Sequence, residues 1–229
     1  TDSVLWFDAD RRGDLCFISS GRFGAPKKAR RVLASQETMA LITRGRGRLE
    51  ALTSPFGRRF TLGPLELELH PAGAVPGAAQ LMIERAGRRI VYAQDVCVRP
   101  GLTAAVAKPL QCDVLAISAT FGDPSIRFPP RDEVVSRIER FVQDALSDKA
   151  TPVLVAEPVG LAQEVLALLD DRGYRLRAHR SVHEVTKVYE KMGLSLNNVL
   201  RFSGQSARDE VLVFPPILRR HVSIRKLRE

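Results

Sequence analysis

The hydrophobic period of this chain changes once, and that change limits the folds open to it. Over roughly the first hundred residues, short apolar runs recur with strand spacing: Val4 to Phe7, Leu15 to Ile18, Phe60 to Leu62, Leu65 to Leu69, Leu81 to Glu84 and Ile90 to Tyr92. Alternation of period two belongs to strands with one face buried. The stretch from Leu81 to Tyr92 carries Ala86-Gly87 at its middle, which predicts a hairpin. A single early helix is expected over Lys27 to Leu33. The first hundred residues are therefore β-rich.

From Arg131 the spacing becomes helical. Val134, Val135, Ile138, Phe141, Val142, Ala145 and Leu146 share one side of a 3.6-residue period, behind Pro129-Pro130. Asp132 and Glu133 stand in the first turn, where the helix dipole favours acids. Pro152 to Ala156 then reads as a buried strand, Leu161 to Leu169 as a helix closed by Gly173, Tyr174 to Ala178 as a strand, and Val182 to Lys191 as a helix closed by Gly193. Strands alternating with helices imply a parallel, layered α/β arrangement. No repeat or low-complexity linker separates the halves. The pattern gives a β-rich domain over residues 1–120, an α/β domain over 121–200, and a return strand with a basic tail over 201–229.

Composition matters mainly through what it excludes. At 229 residues and 45% hydrophobic, the chain can bury a full core. It has no apolar run of about eighteen residues, and Thr1-Asp2-Ser3 begins no basic-then-apolar leader, so no membrane partner and a cytoplasmic location are expected. Cys16, Cys97 and Cys112 are far apart, which argues against a disulfide framework or zinc ribbon; each reads as a small buried hydrophobe. The net charge of +9 and pI near 10.0 favour polyanionic partners. The excess is uneven: residues 1–59 hold twelve basic and six acidic side chains, and Leu218 to Arg228 forms a basic end.

Three ordered blocks then carry a resemblance. Leu69 to Gln80 (LHPAGAVPGAAQ), Ile90 to Asp95 (IVYAQD) and Cys112 to Pro124 (CDVLAISATFGDP) together resemble the metallo-β-lactamase-fold nucleases with a β-CASP cap, in the branch of DNA ligase-associated exonucleases and mRNA 3′-end processing factors. Arg127 to Pro130, Val159 to Glu164 and Lys187 to Glu190 resemble the same branch. The likeness runs from about residue 4 to about residue 216. It implies an α/β fold: half of a metallo-β-lactamase-like αββα sandwich with a β-CASP-like parallel α/β cap. The carboxyl-terminal part of the family fold, with its further histidines, is expected to be missing.

The resemblance also implies two zinc ions and a bridging hydroxide for phosphodiester hydrolysis. Here the sequence departs from the pattern. The family's His-x-His-x-Asp-His falls on Ser20 to Ala25, so Ser20, Arg22, Gly24 and Ala25 stand where ligands would. The next ligand histidine falls on Ala74, and a family lysine on Leu161. Asp95 matches the bridging aspartate, but the glycine before it is Gln94. One carboxylate does not hold a divalent ion against water, and Arg22 adds a repelling charge. No cofactor is therefore expected, with Asp95 a remnant and His70 and His179 weak metal candidates.

Each surviving polar residue has a plainer role. Asp95 at a strand end reads as a loop-capping aspartate, His70 as a structural histidine hydrogen-bonded to neighbouring loops, and His179 as preceding the helix that holds His183 rather than sharing its face. Ser20 lacks a general base in sequence. The strongest functional group left is basic: Arg22, Lys27, Lys28, Arg30 and Arg31, the last four on the expected helix; Arg44, Arg46 and Arg48 in a Gly-Arg loop or edge strand; and Arg219, Arg220, Arg225 and Lys226 near the end. Guanidinium groups suit phosphate. Aromatic residues are only 6%, so a base-stacking platform is not evident.

The resulting expectation is a catalytically inactive nuclease-family homologue that binds nucleic acid or an acidic protein partner, such as an active paralogue or another DNA repair or RNA processing subunit. Two alternatives stay open: an active metal-dependent phosphodiesterase or exonuclease with unconventional or partner-supplied ligands, and a purely structural docking subunit.

Overall fold

The structure, a computed structural model, describes residues 4–10, 15–29, 31–44, 49–196, 198–205, 209–220 and 224. The chain divides into two compact units, Thr1–Ser118 and Ala119–Glu229.

The first unit holds two sheets. One consists of four parallel strands in chain order: β1 (Leu5–Phe7), β2 (Leu15–Phe17), β3 (Arg31–Ala34) and β4 (Glu50–Thr53). The other runs β5 (Arg59–Leu62), β6 (Leu65–Pro71), β7 (Ala79–Arg85), β8 (Arg88–Ala93) and β9 (Val114–Ile117); its first four strands are antiparallel, and β9 joins β8 in parallel. Strand alternation sends Phe17 and Leu33 from the parallel sheet against Leu67, Leu69, Leu81 and Ile83 of the second sheet. Cys16, Ile18, Val32 and Ala34 take the opposite face, packing with Ile42 of helix α1 (Gln36–Ile42) and with Trp6. The β7–β8 hairpin turns on Ala86 (φ 50°) and Gly87 (φ 76°), the doubly left-handed geometry of a tight two-residue turn.

Two expectations fail in this unit. Lys27 to Leu33 is not a helix: Lys27 and Lys28 lie in a loop, and Arg31 opens β3. Val32, Leu33 and Ala34 are each 0% exposed, so the apolar run is a parallel strand buried on both faces, a pattern that periodicity does not separate from a short helix. The helix lies just beyond it. Ser35 caps α1 by accepting from the Thr38 amide (3.0 Å) and donates its hydroxyl to Gly77 O (2.8 Å), to which Thr38 Oγ1 also donates (2.9 Å). Nor is every cysteine buried: Cys16 is, whereas Cys97 and Cys112 are partly exposed, and all three are free.

The second unit is a parallel sheet in the order β10 (Val153–Val155), β13 (Glu210–Phe214), β11 (Arg175–Ala178), β12 (Val199–Arg201), with helices α2 (Arg131–Ser147), α3 (Leu161–Asp170) and α4 (Arg180–Lys191). Leu166, Leu169, Leu176, Val182, Val211 and Val213 form its core. The segment 201–229 supplies β13 to the middle of this sheet. β10, expected to be buried, is an edge strand with Val155 44% exposed. Among the described residues no helix is long and apolar enough to cross a membrane.

Candidate functional site: an aspartate closed by arginine

The ends of β1, β2 and β8 meet at Ser19-Ser20. Asp8 follows β1 in left-handed backbone (φ 44°), and Asp95 follows β8 in the same conformation (φ 53°). Left-handed non-glycine residues are uncommon, and aspartate is among the few side chains that tolerate the region. Asp8 Oδ1 accepts from the Ser19 amide (2.8 Å), and Asp95 Oδ2 accepts from the Ser20 hydroxyl (2.8 Å). Two carboxylates from different strands thus grip one dipeptide.

Arg22 closes the second of them. Its Nη1 lies 2.8 Å from Asp95 Oδ1, while its own amide donates to Ser20 Oγ (3.2 Å). The Asp95 side chain is 6% exposed and that of Arg22 is 40% exposed. Ser20 caps a short 3-10 turn, Gly21–Phe23, which aims the arginine back at the aspartate. Both Asp95 oxygens are therefore occupied, one by a hydroxyl and one by a fixed cation. A divalent ion brought within about 4 Å of that guanidinium would meet repulsion of about 8 kcal/mol at an effective dielectric constant near 20.

The residues present do not fit a two-metal centre. Ser20, Arg22, Gly24, Ala25 and Ala74 offer no imidazole or carboxylate, and among the described residues no three His, Cys, Asp or Glu side chains converge. His70, on β6, has its Nε2 buried 3.2 Å from Glu68 Oε1, outside hydrogen-bonding geometry, instead of the hydrogen bonds to loops expected of it. His179 belongs to the second unit, where its Nδ1 accepts from the Ser181 amide (3.2 Å) at the start of α4 and its ring lies 5.4 Å from Phe214. His183 sits within α4, its pKa lowered by burial.

Gln94, the departure from the family's glycine, has a use that the sequence did not reveal. Its Nε2 donates to Tyr92 Oη (2.5 Å), and that hydroxyl donates to Asp8 Oδ2 (3.0 Å). Burial, with Asp8 adding to it, pushes the Tyr92 phenol upward. Burial likewise raises the Asp8 carboxyl, against the lowering effect of its Ser19 and Tyr92 hydrogen bonds. The folded chain then holds the Asp8 proton more tightly than the unfolded chain does. Ionised Asp8 costs stability at neutral pH, and that cost is relieved as pH falls through the raised pKa. Between about pH 7 and pH 4, the stability of wild type relative to Asp8→Asn should rise as pH falls. Urea midpoints followed by the fluorescence of Trp6, the chain's one tryptophan, measure it; a difference that stays flat contradicts the assignment.

Of the expected basic residues, Lys27 and Lys28 are exposed in a loop fixed by Asp10, whose Oδ1 accepts both of their amides (2.8 and 3.1 Å). Arg31 is exposed at the start of β3. Arg44 lies just past α1 and is half-buried, so it is not a free surface cation of an edge strand. Arg219 and Arg220 are exposed in the second unit. Arg30, Arg46, Arg48, Arg225 and Lys226 lie outside the described residues. Arg22 is committed to Asp95.

Comparison with known proteins agrees with this scaffold. No family profile matches the chain. It is 28% identical to a probable DNA ligase of Opitutus terrae over 97% of its own length, 28% identical to the cleavage and polyadenylation specificity factor 73 of Drosophila melanogaster over 66%, and 30% identical to a ribonuclease of Thermus thermophilus over 53%. The chain spans 22%, 22% and 28% of those proteins, respectively. These relatives are consistent with the resemblance to the metallo-β-lactamase-fold nuclease group read from the sequence.

Proposed function

We propose that this chain is a catalytically silent member of that nuclease group which binds nucleic acid, serving DNA repair or RNA processing beside an active paralogue or another subunit. One observation carries the reading: the single aspartate kept from the metal site has its two oxygens taken by Ser20 and Arg22 at 2.8 Å each. An arginine cation replaces metal charge at that carboxylate without supplying a Lewis acid or a metal-activated water. In this reading the first unit is the metallo-β-lactamase-like body and the second a β-CASP-like cap.

The net charge of +9 and the exposed Lys27, Lys28 and Arg31 support backbone contact. Labelled single-stranded DNA and RNA should bind with affinity that falls as salt rises, and stay uncut in zinc or manganese. Lys27→Ala with Lys28→Ala should flatten the slope of log affinity against log salt by about 1.4, the sum of two single-strand phosphate contacts. Cleavage that disappears in Asp95→Ala supports the active-enzyme alternative. Absence of any salt-dependent binding leaves the docking-subunit alternative.

A further inference from the structure

Beside the closed aspartate lies an open cleft of about 240 Å³, walled by Asp8, Asp10, Phe23, Gly24 and Lys27. It is smaller than the pockets that hold drug-sized ligands, about 300 Å³ and upward, and suits one flat ring system. Phe23, 56% exposed, lines this cleft and leaves aromatic surface open to it. Lys27, exposed, is a basic residue lining the same opening. Asp10 is held in place by the two amides that donate to its Oδ1, and no described residue donates to its other carboxylate oxygen.

An aromatic face, a fixed acceptor and a cation are the three contacts that one nucleotide offers in reverse: a ring to stack, an amino group to donate, and a phosphate. We propose that this cleft takes a single unpaired nucleotide whose base carries an exocyclic amine, stacked on Phe23, donating to Asp10, with its phosphate on Lys27. The assignment rests on the nucleic-acid-binding reading above and adds base selectivity to it. A cationic peptide side chain is the weaker fit, because Lys27 repels it. Cytosine presents an amino donor where thymine presents a keto oxygen, so the Asp10 carboxylate accepts from one and repels the other.

Fluorescence anisotropy with labelled oligo-dC and oligo-dT hexamers, at one salt concentration, tests it. The dC hexamer should bind about tenfold more tightly than the dT hexamer. Asp10→Asn should remove that preference, and Phe23→Ala should weaken both about tenfold. Trp6 fluorescence verifies that each variant is folded. Equal binding of the two hexamers, with neither variant changing it, overturns the cleft while leaving salt-dependent binding intact; failure of both hexamers to bind overturns both readings.

Discussion

Gly73→Ala should cost the first unit about 4 kcal/mol, the sum of left-handed strain and a clash that nothing nearby can relieve. Gly73 has φ +94°, and a Cβ there would stand 2.2 Å from Cys97 O and 2.7 Å from Ala107 N. Both are backbone atoms within a tight crossing. Cys97 N donates to Ala72 O (2.7 Å), Ala107 N donates to Cys97 O (2.9 Å), and Gly73 bridges Val96. A methyl group must therefore break hydrogen bonds rather than displace a rotamer. Domains of this kind have about 5–15 kcal/mol in all, so the variant approaches unfolding. Gly57→Ala is the control: its φ is +74°, but a Cβ there meets open space, and the cost should be about 1 kcal/mol. Trp6 fluorescence in urea reports both, because Trp6 packs in the first unit. Equal losses would show that the crossing tolerates a side chain.

Arg22→Ala should cost about 2 kcal/mol, more than a surface residue ordinarily does. Removing one member of a buried ion pair costs about 3–5 kcal/mol, whereas an exposed pair contributes about 0–1. This pair lies between those limits, since Asp95 is 6% exposed and Arg22 40%. The loss arises at Asp95, left with the Ser20 hydroxyl as the only one of these two partners. A double-mutant cycle with Asp95→Ala should return a coupling of about 1–2 kcal/mol. Coupling near zero would make the contact incidental. The variant should not acquire tight zinc binding, because Ser20, Gly24, Ala25 and Ala74 still supply no ligands.

Much of this architecture was legible in the sequence because period reports burial. The β7–β8 hairpin and helices α2, α3 and α4 fall close to where alternation, capping acids and closing glycines put them. β3 stands where a helix is expected because a short apolar run buried on both faces shows no period of two, and the seven-residue α1, capped by Ser35, is too short for its helical period to stand out. That Ser20, Arg22, Gly24 and Ala25 carry neither imidazole nor carboxylate was readable directly. What replaces them was not, because the Ser20–Asp95 hydrogen bond joins residues 75 positions apart and depends on a three-residue turn. The Gln94–Tyr92–Asp8 relay and the Phe23 cleft were hidden for the same reason: tertiary placement, not spacing, makes them.

Metal stoichiometry tests the central claim most directly. Protein grown in zinc- and manganese-supplemented medium, purified without chelator and analysed by plasma mass spectrometry, should carry less than about 0.1 ion per chain, as expected where imidazole and carboxylate ligands are absent. About two ions per chain, lost in Asp95→Ala, would contradict an aspartate closed by Arg22 and restore a hydrolytic centre.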